Sequence, residues 1–391
     1  MSSTNSPHPS RSGRAVVDAV LRRQRPARVC YAPNYWQWLA HQQHHGLPAG
    51  LTDEGDQLAL IRGLGLDVFS RNIYSDQQRG WFGGLSEPVY REVEVDEREW
   101  LDGQDRLFER TYRTPQGTLT ERLRYVRDES TLVQEKFLLD DPENQLDALE
   151  ALVDDRRWRF LADEFAVWED RVGQDGRVIV GELYSPLKLL HLALDPVRTC
   201  YLLVDAPEAA GRIMAAHEAA MLDLAEQIAR GGAKAMMAMD NLDTMFHPPR
   251  LVEQCSASFY EKAARLGHEQ GCNLFIHACG GQRANLGLIG SLGVDGLEGV
   301  AFPTLGDVEL DEAMQLSGDR LIITGGISAL EFQRLASRAD VFAYVKDLLG
   351  RMVPYAHRFV LSASCNTPYT APWPTLLHFR DAWLEYGGLD D

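Results

Sequence analysis

Three side chains that could bind a metal ion follow two short apolar runs of the chain. His277 and Cys279 come at the end of the run that begins at Asn273, and Cys365 ends the run that begins at Arg358. One imidazole and two thiolates form a zinc ligand set with one position left open, which is typical of catalytic rather than structural zinc sites. The three residues alone also allow another interpretation, in which two unrelated buried cysteines accompany a hydrogen-bonded histidine.

Polar residues and a glycine stand at the ends of other predicted strands. Glu182 is a candidate catalytic residue that could act as a fourth metal ligand displaced by substrate, or could form a salt bridge at the rim. Asp240, a second catalytic candidate, and Asn241 could bind or orient a substrate, or could only cap the end of a strand. Gly325 could let a ligand approach the backbone, or could merely suit a tight turn.

The remaining sequence must supply a fold that brings these side chains together. Strand-like and helix-like patterns alternate along most of the chain, which predicts right-handed βαβ units and a parallel sheet. We count about eight such strands, the number that closes a TIM (β/α)8 barrel. The carboxyl ends of barrel strands form one rim, so the α/β barrel would bring His277, Cys279 and Cys365 to the same place.

A β-rich insertion is predicted after the second strand, at about residues 75–138. Strand-like alternation, with a turn at residues 114–117, recurs in three segments of this region: 89–95, 108–113 and 118–125. The chain is otherwise predicted to be one barrel domain over residues 1–391, with residues 1–13 as a flexible N-terminal arm. Two long helices are expected at 145–170 and 248–270.

Composition excludes some classes of protein. The chain has 391 residues, 45% of them hydrophobic, and a formal net charge of −18. This acidity argues against nucleic-acid binding and against adsorption on an anionic membrane. We expect no secretory signal in the polar stretch Met1–Gly13 and no membrane-spanning segment. Six cysteines in a chain of this length do not indicate a disulfide framework, so a cytoplasmic location is expected.

Several segments resemble those of a known family, and so does the pattern of His-x-Cys with a distant Cys. The segments are Arg14–Leu21, Arg25–Val29, Thr114–Leu119, Lys136–Asp141, Asp307–Asp311 and Gly318–Gly326. Over most of its length the chain resembles the uroporphyrinogen decarboxylase superfamily, and within it the zinc-dependent methyltransferases of corrinoid systems. The resemblance implies that His277, Cys279 and Cys365 are zinc ligands.

The same resemblance implies an O-demethylase-type reaction, in which a methyl group moves between a small molecule and a corrinoid (cobalamin). The chain has no Asp-x-His-x-x-Gly pattern for binding a corrinoid, so the cofactor is expected on a separate corrinoid protein. Tyr31, Asn34 and Trp36 belong to an aromatic, amide-bearing segment that would suit a methoxylated aromatic substrate, although its aromatic residues could equally be core or surface residues. The insertion could supply a lid or the surface of a homodimer.

Three alternatives stay open at this point. The enzyme could methylate a thiol from a methyl-corrinoid, or the barrel could bind zinc without catalysis. A uroporphyrinogen-type decarboxylase is disfavoured, because the stretch Pro33–Leu39 lacks the arginines with which the decarboxylase grips substrate carboxylates.

Overall fold

In a computed structural model of the protein, the described residues are 12–51, 55–74 and 84–389. Within them the strands are β1 (Cys30–Tyr31), β2 (Ser86–Val89), β3 (Glu94–Asp102), β4 (Asp105–Thr114), β5 (Gly117–Val126), β6 (Thr131–Lys136), β7 (Arg157–Phe160), β8 (Ile179–Leu183), β9 (Ala235–Ala238), β10 (Asn273–His277), β11 (Gly296–Val300), β12 (Ile322–Ile327) and β13 (Phe359–Ala363).

The α-helices of the described residues are α1 (Gly13–Leu21), α2 (Trp36–His45), α3 (Gln57–Leu64), α4 (Pro142–Asp155), α5 (Ala162–Val172), α6 (Pro186–Leu194), α7 (Pro196–Asp205), α8 (Pro207–Arg230), α9 (Pro249–Cys255), α10 (Ala257–Glu269), α11 (Leu286–Ser291), α12 (Leu310–Leu316), α13 (Glu331–Arg334), α14 (Arg338–Met352) and α15 (Trp373–Tyr386). None of these described helices combines the length and the apolar character needed to cross a membrane.

A parallel sheet of seven strands, in the order β1-β13-β12-β11-β10-β9-β8, forms the centre of the molecule. Residues 66–70 connect its two edges. The backbone N–H of Asp67 donates to the carbonyl of Tyr31 in β1 at 2.9 Å, and Val68 forms a parallel bridge with Gly176, just before β8. The segment therefore supplies the eighth strand, and the fold is the predicted TIM (β/α)8 barrel.

The strands around the candidate ligands are buried along almost their whole length. Every residue of β11, β12 and β13 is buried, and in β10 only Asn273 is partly exposed. Parallel strands covered by helices on one side and by the barrel interior on the other are expected to be apolar throughout. This burial explains why short apolar runs predicted the strands well.

The β-rich insertion lies between residues 66–70 and β8, which confirms its predicted place after the second strand. Strands β3 to β6 form a four-stranded antiparallel sheet. Its inner residues, such as Tyr112 and Leu119, share a second hydrophobic core with Leu149 of α4 and Leu190 of α6. The sheet is therefore packed against helices that follow it in the chain.

The proposed limits of the arm and the insertion stay predictions. Residues 1–11 and 75–83 lie outside the described residues. The structure does describe the end of the predicted arm: the Ser12 side chain accepts a hydrogen bond from Ala15 N at 3.3 Å and caps α1, which begins at Gly13.

Two predicted helices are interrupted. The expected helix over 145–170 is split by β7, whose residues Arg157–Phe160 pair antiparallel with β2. The expected helix over 248–270 is broken at Ser256, where α9 ends and α10 begins. Helix α6 was not predicted, because seven of its nine residues are buried and a short, mostly apolar run cannot be told from a buried strand by periodicity alone.

Candidate metal centre

The barrel brings the three predicted ligands together. His277 is the last residue of β10, Cys279 follows two positions later, and Cys365 follows β13. The Nε2 atom of His277 lies 3.1 Å from Sγ of Cys279 and 3.7 Å from Sγ of Cys365, and the two sulfurs are 3.6 Å apart. These three side chains form a potential metal-binding group of the described residues.

Glu298 fixes the orientation of the His277 ring. The two residues are register partners on neighbouring strands, β10 and β11, and Oε2 of Glu298 lies 2.5 Å from Nδ1 of His277. A carboxylate on Nδ1 holds the ring proton there, which leaves the Nε2 lone pair facing the thiols. This arrangement is the one that metal-binding histidines usually have.

Arg71 completes the polar surroundings of the centre. Its Nη1 donates to Oε1 of Glu298 at 2.5 Å, and its Nη2 lies 3.7 Å from Sγ of Cys365. Both side chains of the ion pair are buried, with exposed fractions of 5% and 7%. The guanidinium thus balances the Glu298 carboxylate and also favours negative charge on Cys365.

The thiols and the imidazole shift one another's pKa values. The hydrogen bond between the two thiols, together with burial, raises the pKa of Cys279 well above its usual range. The same hydrogen bond and the nearby imidazole hold the pKa of Cys365 well below its usual range, although burial opposes this. Burial and Arg71 disfavour the charged form of His277, yet Glu298 and Cys365 outweigh them and raise its pKa. The centre therefore favours a thiolate at Cys365, and thiolate is the form of cysteine that binds metals.

Gly299 lets β11 pass close to the ligands. Its φ is +86°, and an added Cβ would lie 2.7 Å from the carbonyl oxygen of Ala278, 2.9 Å from that of Ser364 and 3.1 Å from Cε1 of His277. Pairing between β11 and β12 shifts register between Glu298 and Val300. The glycine thus allows the bulge that accompanies the inward position of Glu298.

The two predicted catalytic carboxylates are held by other groups. Glu182 accepts hydrogen bonds from Leu85 N at 2.8 Å and from the Ser86 hydroxyl at 2.7 Å, and burial raises its pKa. Asp240 is fully buried, accepts from Ser185 N at 2.9 Å and from the Tyr260 hydroxyl, and its pKa is also raised by burial. Neither carboxylate belongs to the group formed by His277 and the two cysteines among the described residues. Their catalytic roles stay predictions. Their hydrogen bonds instead favour a role in holding the nearby backbone in place.

Two of the predicted substrate-binding residues lie close to Cys365. The side-chain amide of Asn34 and the indole N–H of Trp36 each donate to Oδ1 of Asn366 at 2.9 Å, and Nη2 of Arg71 donates to the same oxygen at 3.0 Å. Asn366 is the residue after Cys365, so these contacts connect the aromatic segment to the centre.

Three other predicted substrate-binding residues occupy different positions. Tyr31 is buried in the main core, where its ring packs edge-on against Trp383 at 5.7 Å between centroids. Asn241 is exposed after β9 with a φ of +50°. Gly325 lies inside β12, where an added Cβ would approach the carbonyl oxygen of Val300 to 2.8 Å. For Tyr31 and Gly325 these positions favour the alternative structural interpretations.

Sequence reasoning missed Glu298, Arg71 and Asn366. Glu298 was visible as a carboxylate inside a strand of the otherwise apolar run Gly296–Val300. A charged residue in a buried strand normally needs a partner. That signal alone could have identified Glu298 as part of a polar site. Arg71 and Asn366 lie in loops after strands, where polar residues are common and indicate nothing by themselves.

Comparison with known proteins identifies the family and supports the fold. Residues 122–386 match the family model described as "Uroporphyrinogen decarboxylase (URO-D)". A solved structure of a methyltransferase from Methanosarcina mazei is similar with a TM-score of 0.59 at 14% sequence identity, covering 96% of this chain and 99% of that chain. No curated protein matches this chain.

A muconate lactonizing enzyme from Pseudomonas putida is only distantly similar, with 12% identity and a TM-score of 0.23 over 76% of this chain and 78% of that chain. The match to the family model, by contrast, spans more than half of the chain and contains His277, Cys279 and Cys365. On this evidence the chain belongs to the uroporphyrinogen decarboxylase family.

Proposed function

We propose that this protein is a zinc-dependent methyltransferase that moves a methyl group between a small methoxylated aromatic compound and a corrinoid carried by a separate protein. The observation that carries the proposal is the grouping of one imidazole and two thiols at the carboxyl rim of a barrel. In TIM-barrel enzymes this rim is the place of the active site.

The ligand set fits a zinc ion. Zinc bound tetrahedrally, with Zn–S distances of about 2.3 Å and Zn–N distances of about 2.0 Å, separates two sulfurs by ~3.8 Å and sulfur from nitrogen by ~3.5 Å. Here the two sulfurs are 3.6 Å apart. Nε2 of His277 lies 3.1 Å from Sγ of Cys279 and 3.7 Å from Sγ of Cys365. Thiolate and imidazole ligands are those that zinc prefers, and the carboxylate of Glu298 on His277 supports binding further.

The protein's own residues would prepare the centre in three ways. Glu298 keeps the proton of His277 on Nδ1, so that Nε2 is free for the metal. Arg71 stabilises negative charge on Cys365. Zinc held there would act as a Lewis acid that activates a heteroatom of the methyl donor or acceptor.

Two considerations favour methyl transfer over decarboxylation. The similar solved structure is named as a methyltransferase, so a protein of this fold with a different sequence is associated with methyl transfer. The stretch Pro33–Leu39 also lacks arginines that could hold a polycarboxylate. Trp36, which is half-buried and hydrogen-bonded to Asn366, supports an aromatic substrate near the centre.

Metal analysis tests the first half of the proposal. We expect the purified protein to contain about one zinc ion per chain, and Cys279→Ser and Cys365→Ser to lose most of it. Cys200→Ser, which changes an exposed cysteine, is the matched control and should keep the metal. A wild-type protein without zinc that the two variants leave unchanged would refute the assignment.

A transfer assay tests the second half. Cob(I)alamin and a panel of methoxylated aromatics should yield methylcobalamin with the wild-type protein and none with Cys279→Ser. Methylation of a thiol from methylcobalamin, with failure on every ether, would instead support a thiol methyltransferase. Zinc binding without either reaction would favour a non-catalytic barrel.

A further inference from the structure

A basic cluster lies on the same rim of the barrel as the metal centre. Lys188 and His191 are one turn apart on α6, whose capping residue Ser185 comes two positions after β8. His247 lies in the loop after β9, and its ring packs against that of His191 with 4.7 Å between centroids at 65°. The loop carrying His247 is fixed from the other side, since the Asn285 side chain donates to its carbonyl at 2.8 Å.

The two imidazoles are buried with unsatisfied nitrogens. Their exposed fractions are 6% for His191 and 1% for His247. Within the described parts of the chain, neither Nε2 of His191 nor either ring nitrogen of His247 has a hydrogen-bond partner. Buried polar atoms are normally paired, because leaving one without a partner costs free energy. The pair therefore has three buried nitrogens that could hydrogen-bond to a ligand.

The charges around the pair suit an anion. Burial, with the adjacent Lys188 ammonium, lowers the pKa of His191 to about 4 and contributes to a pKa of about 3 for His247. Both rings are therefore neutral at pH 7, and each can donate one N–H. An ammonium beside two imidazoles disfavours a second metal cation and favours a negatively charged ligand.

The nearby carboxylates already accept hydrogen bonds from other groups. Asp240 accepts from Ser185 N and from the Tyr260 hydroxyl, and Asp195 accepts from Arg198 N at 2.8 Å at the start of α7. Asp240 and Cys279 both favour the charged form of Lys188 against the effect of burial, which lowers its pKa. The ammonium thus lies within electrostatic range of both the histidine pair and the metal centre.

We propose that Lys188, His191 and His247 form a subsite for the anionic oxygen group, carboxylate or sulfonate, of the small molecule whose methyl group is transferred or accepted. The inference rests on the proposed function and specifies the class of its substrate. The ammonium and the imidazole N–H groups would donate to the anionic oxygens, while the reacting end of the same molecule faces the metal centre.

Equilibrium binding without turnover tests this subsite. Isothermal titration of the purified protein with 4-methoxybenzoate, 4-methoxybenzenesulfonate and the uncharged 4-methoxybenzyl alcohol compares three ligands that differ in one group. We expect at least one anion to bind at least about tenfold more tightly than the alcohol, as a charge-assisted contact predicts. The order of the two anions distinguishes carboxylate from sulfonate.

Variants assign the preference to the cluster. Lys188→Met should abolish the preference for the anion and keep the affinity for the alcohol, and His247→Phe, which keeps a ring against His191, should weaken anion binding several-fold. Lys262→Met removes an ammonium on α10 that pairs with Glu218 of α8, and this variant should keep the preference. Equal affinities of the wild-type protein for the anions and the alcohol, or an unchanged preference in Lys188→Met, would overturn the proposal. Because no methyl transfer is measured, failure of the transfer assay and failure of this subsite are distinguishable.

Discussion

At the scale of single residues, the candidate centre depends on a buried ion pair as much as on its three ligands. Glu298 contacts His277 with one oxygen and Arg71 with the other. Breaking a buried pair by removing one charge is strongly destabilising, because the partner is left buried without compensation. The same two side chains that orient the imidazole therefore also stabilise the barrel interior.

Glu298→Gln should weaken zinc binding by about 10- to 100-fold, because the amide is a poorer partner for the Nδ1 proton of His277. Competition with a chromophoric chelator measures this affinity. Glu150→Gln, which removes a carboxylate from the exposed pair with Arg212, is the control and should bind zinc as the wild type does. Wild-type affinity in Glu298→Gln would contradict the role given to this carboxylate.

His217 should make the protein sensitive to acid. Burial lowers its pKa from 6.5 to about 3, so the unfolded chain takes up a proton near pH 6.5 and the folded chain does not. The contribution of this histidine to the free energy of unfolding is complete above pH 6.5 and is lost as the pH falls towards 3, with a slope of about 1.4 kcal/mol per pH unit near pH 5.

Denaturant unfolding with EDTA present, at several pH values between 4 and 7, measures that slope. In His217→Gln the free energy of unfolding should change less steeply with pH than in the wild type, by about the same 1.4 kcal/mol per pH unit. Glutamine is chosen because it can still donate to the Tyr184 carbonyl, which lies 3.0 Å from the histidine Nε2. Identical slopes for the wild type and His217→Gln would show that this histidine does not titrate on unfolding.

At the scale of secondary-structure elements, strand register decides which side chains meet. The pairing of His277 with Glu298 across β10 and β11 places an imidazole beside a carboxylate. Gly299 has a left-handed φ and lies where the pairing of β11 with β12 shifts register, and there β11 passes the residues that follow β10 and β13. A side chain at this position would strike backbone on both sides, since the carbonyls of Ala278 and Ser364 lie within 3 Å of its Cβ.

Gly299→Ala should therefore destabilise the fold by about 1–3 kcal/mol, because it strains the backbone. It should also reduce zinc binding, because the added methyl group pushes on the His277 ring. Gly211→Ala is the control: Gly211 lies in α8 with no atom near the added Cβ, so the change should stabilise the helix by about 0.5–1 kcal/mol. Denaturant unfolding and zinc content measure both effects. Unchanged stability in Gly299→Ala would mean that the bulge can relax.

At the scale of the whole molecule, the barrel and the β-rich insertion have separate hydrophobic cores, and helix α8 contributes residues to both. Leu224 of α8 belongs to the barrel core, whereas Ile213 of the same helix and Leu190 of α6 belong to the core of the insertion. The candidate metal centre lies at the rim of the barrel, where the predicted ligands from β10 and from the chain after β13 meet. An ion there would link distant parts of the sequence in the folded state only.

Removal of the proposed zinc should lower the melting temperature, because an ion that binds the folded chain preferentially stabilises it by mass action. Thermal unfolding with and without a chelator measures the shift. The shift should disappear in Cys279→Ser and persist in Cys200→Ser. A wild-type melting temperature that does not respond to chelator would argue against a bound ion.

Part of this architecture could be predicted because its residues are locally distinctive. Cysteine and histidine after apolar runs are uncommon enough to suggest ligands, and buried parallel strands are recognisable as short apolar runs. Arg71 could not be predicted in the same way, because arginine is common and no neighbouring residue indicates which side chain it contacts. Tyr31 shows the same difficulty: one aromatic residue in a two-residue strand does not reveal whether it faces the core or a ligand.

Residue types and their local order are enough to predict the chemical types of the candidate ligands, the approximate succession of strands and helices, and the family. The folded chain was needed to show that Glu298 contacts His277 and that Arg71 contacts Cys365. It was also needed to show that Lys188, His191 and His247 lie on the same rim. The physical reason is that these contacts depend on strand register and barrel closure. Both are set by packing between segments far apart in the chain, so no local pattern of residues specifies them.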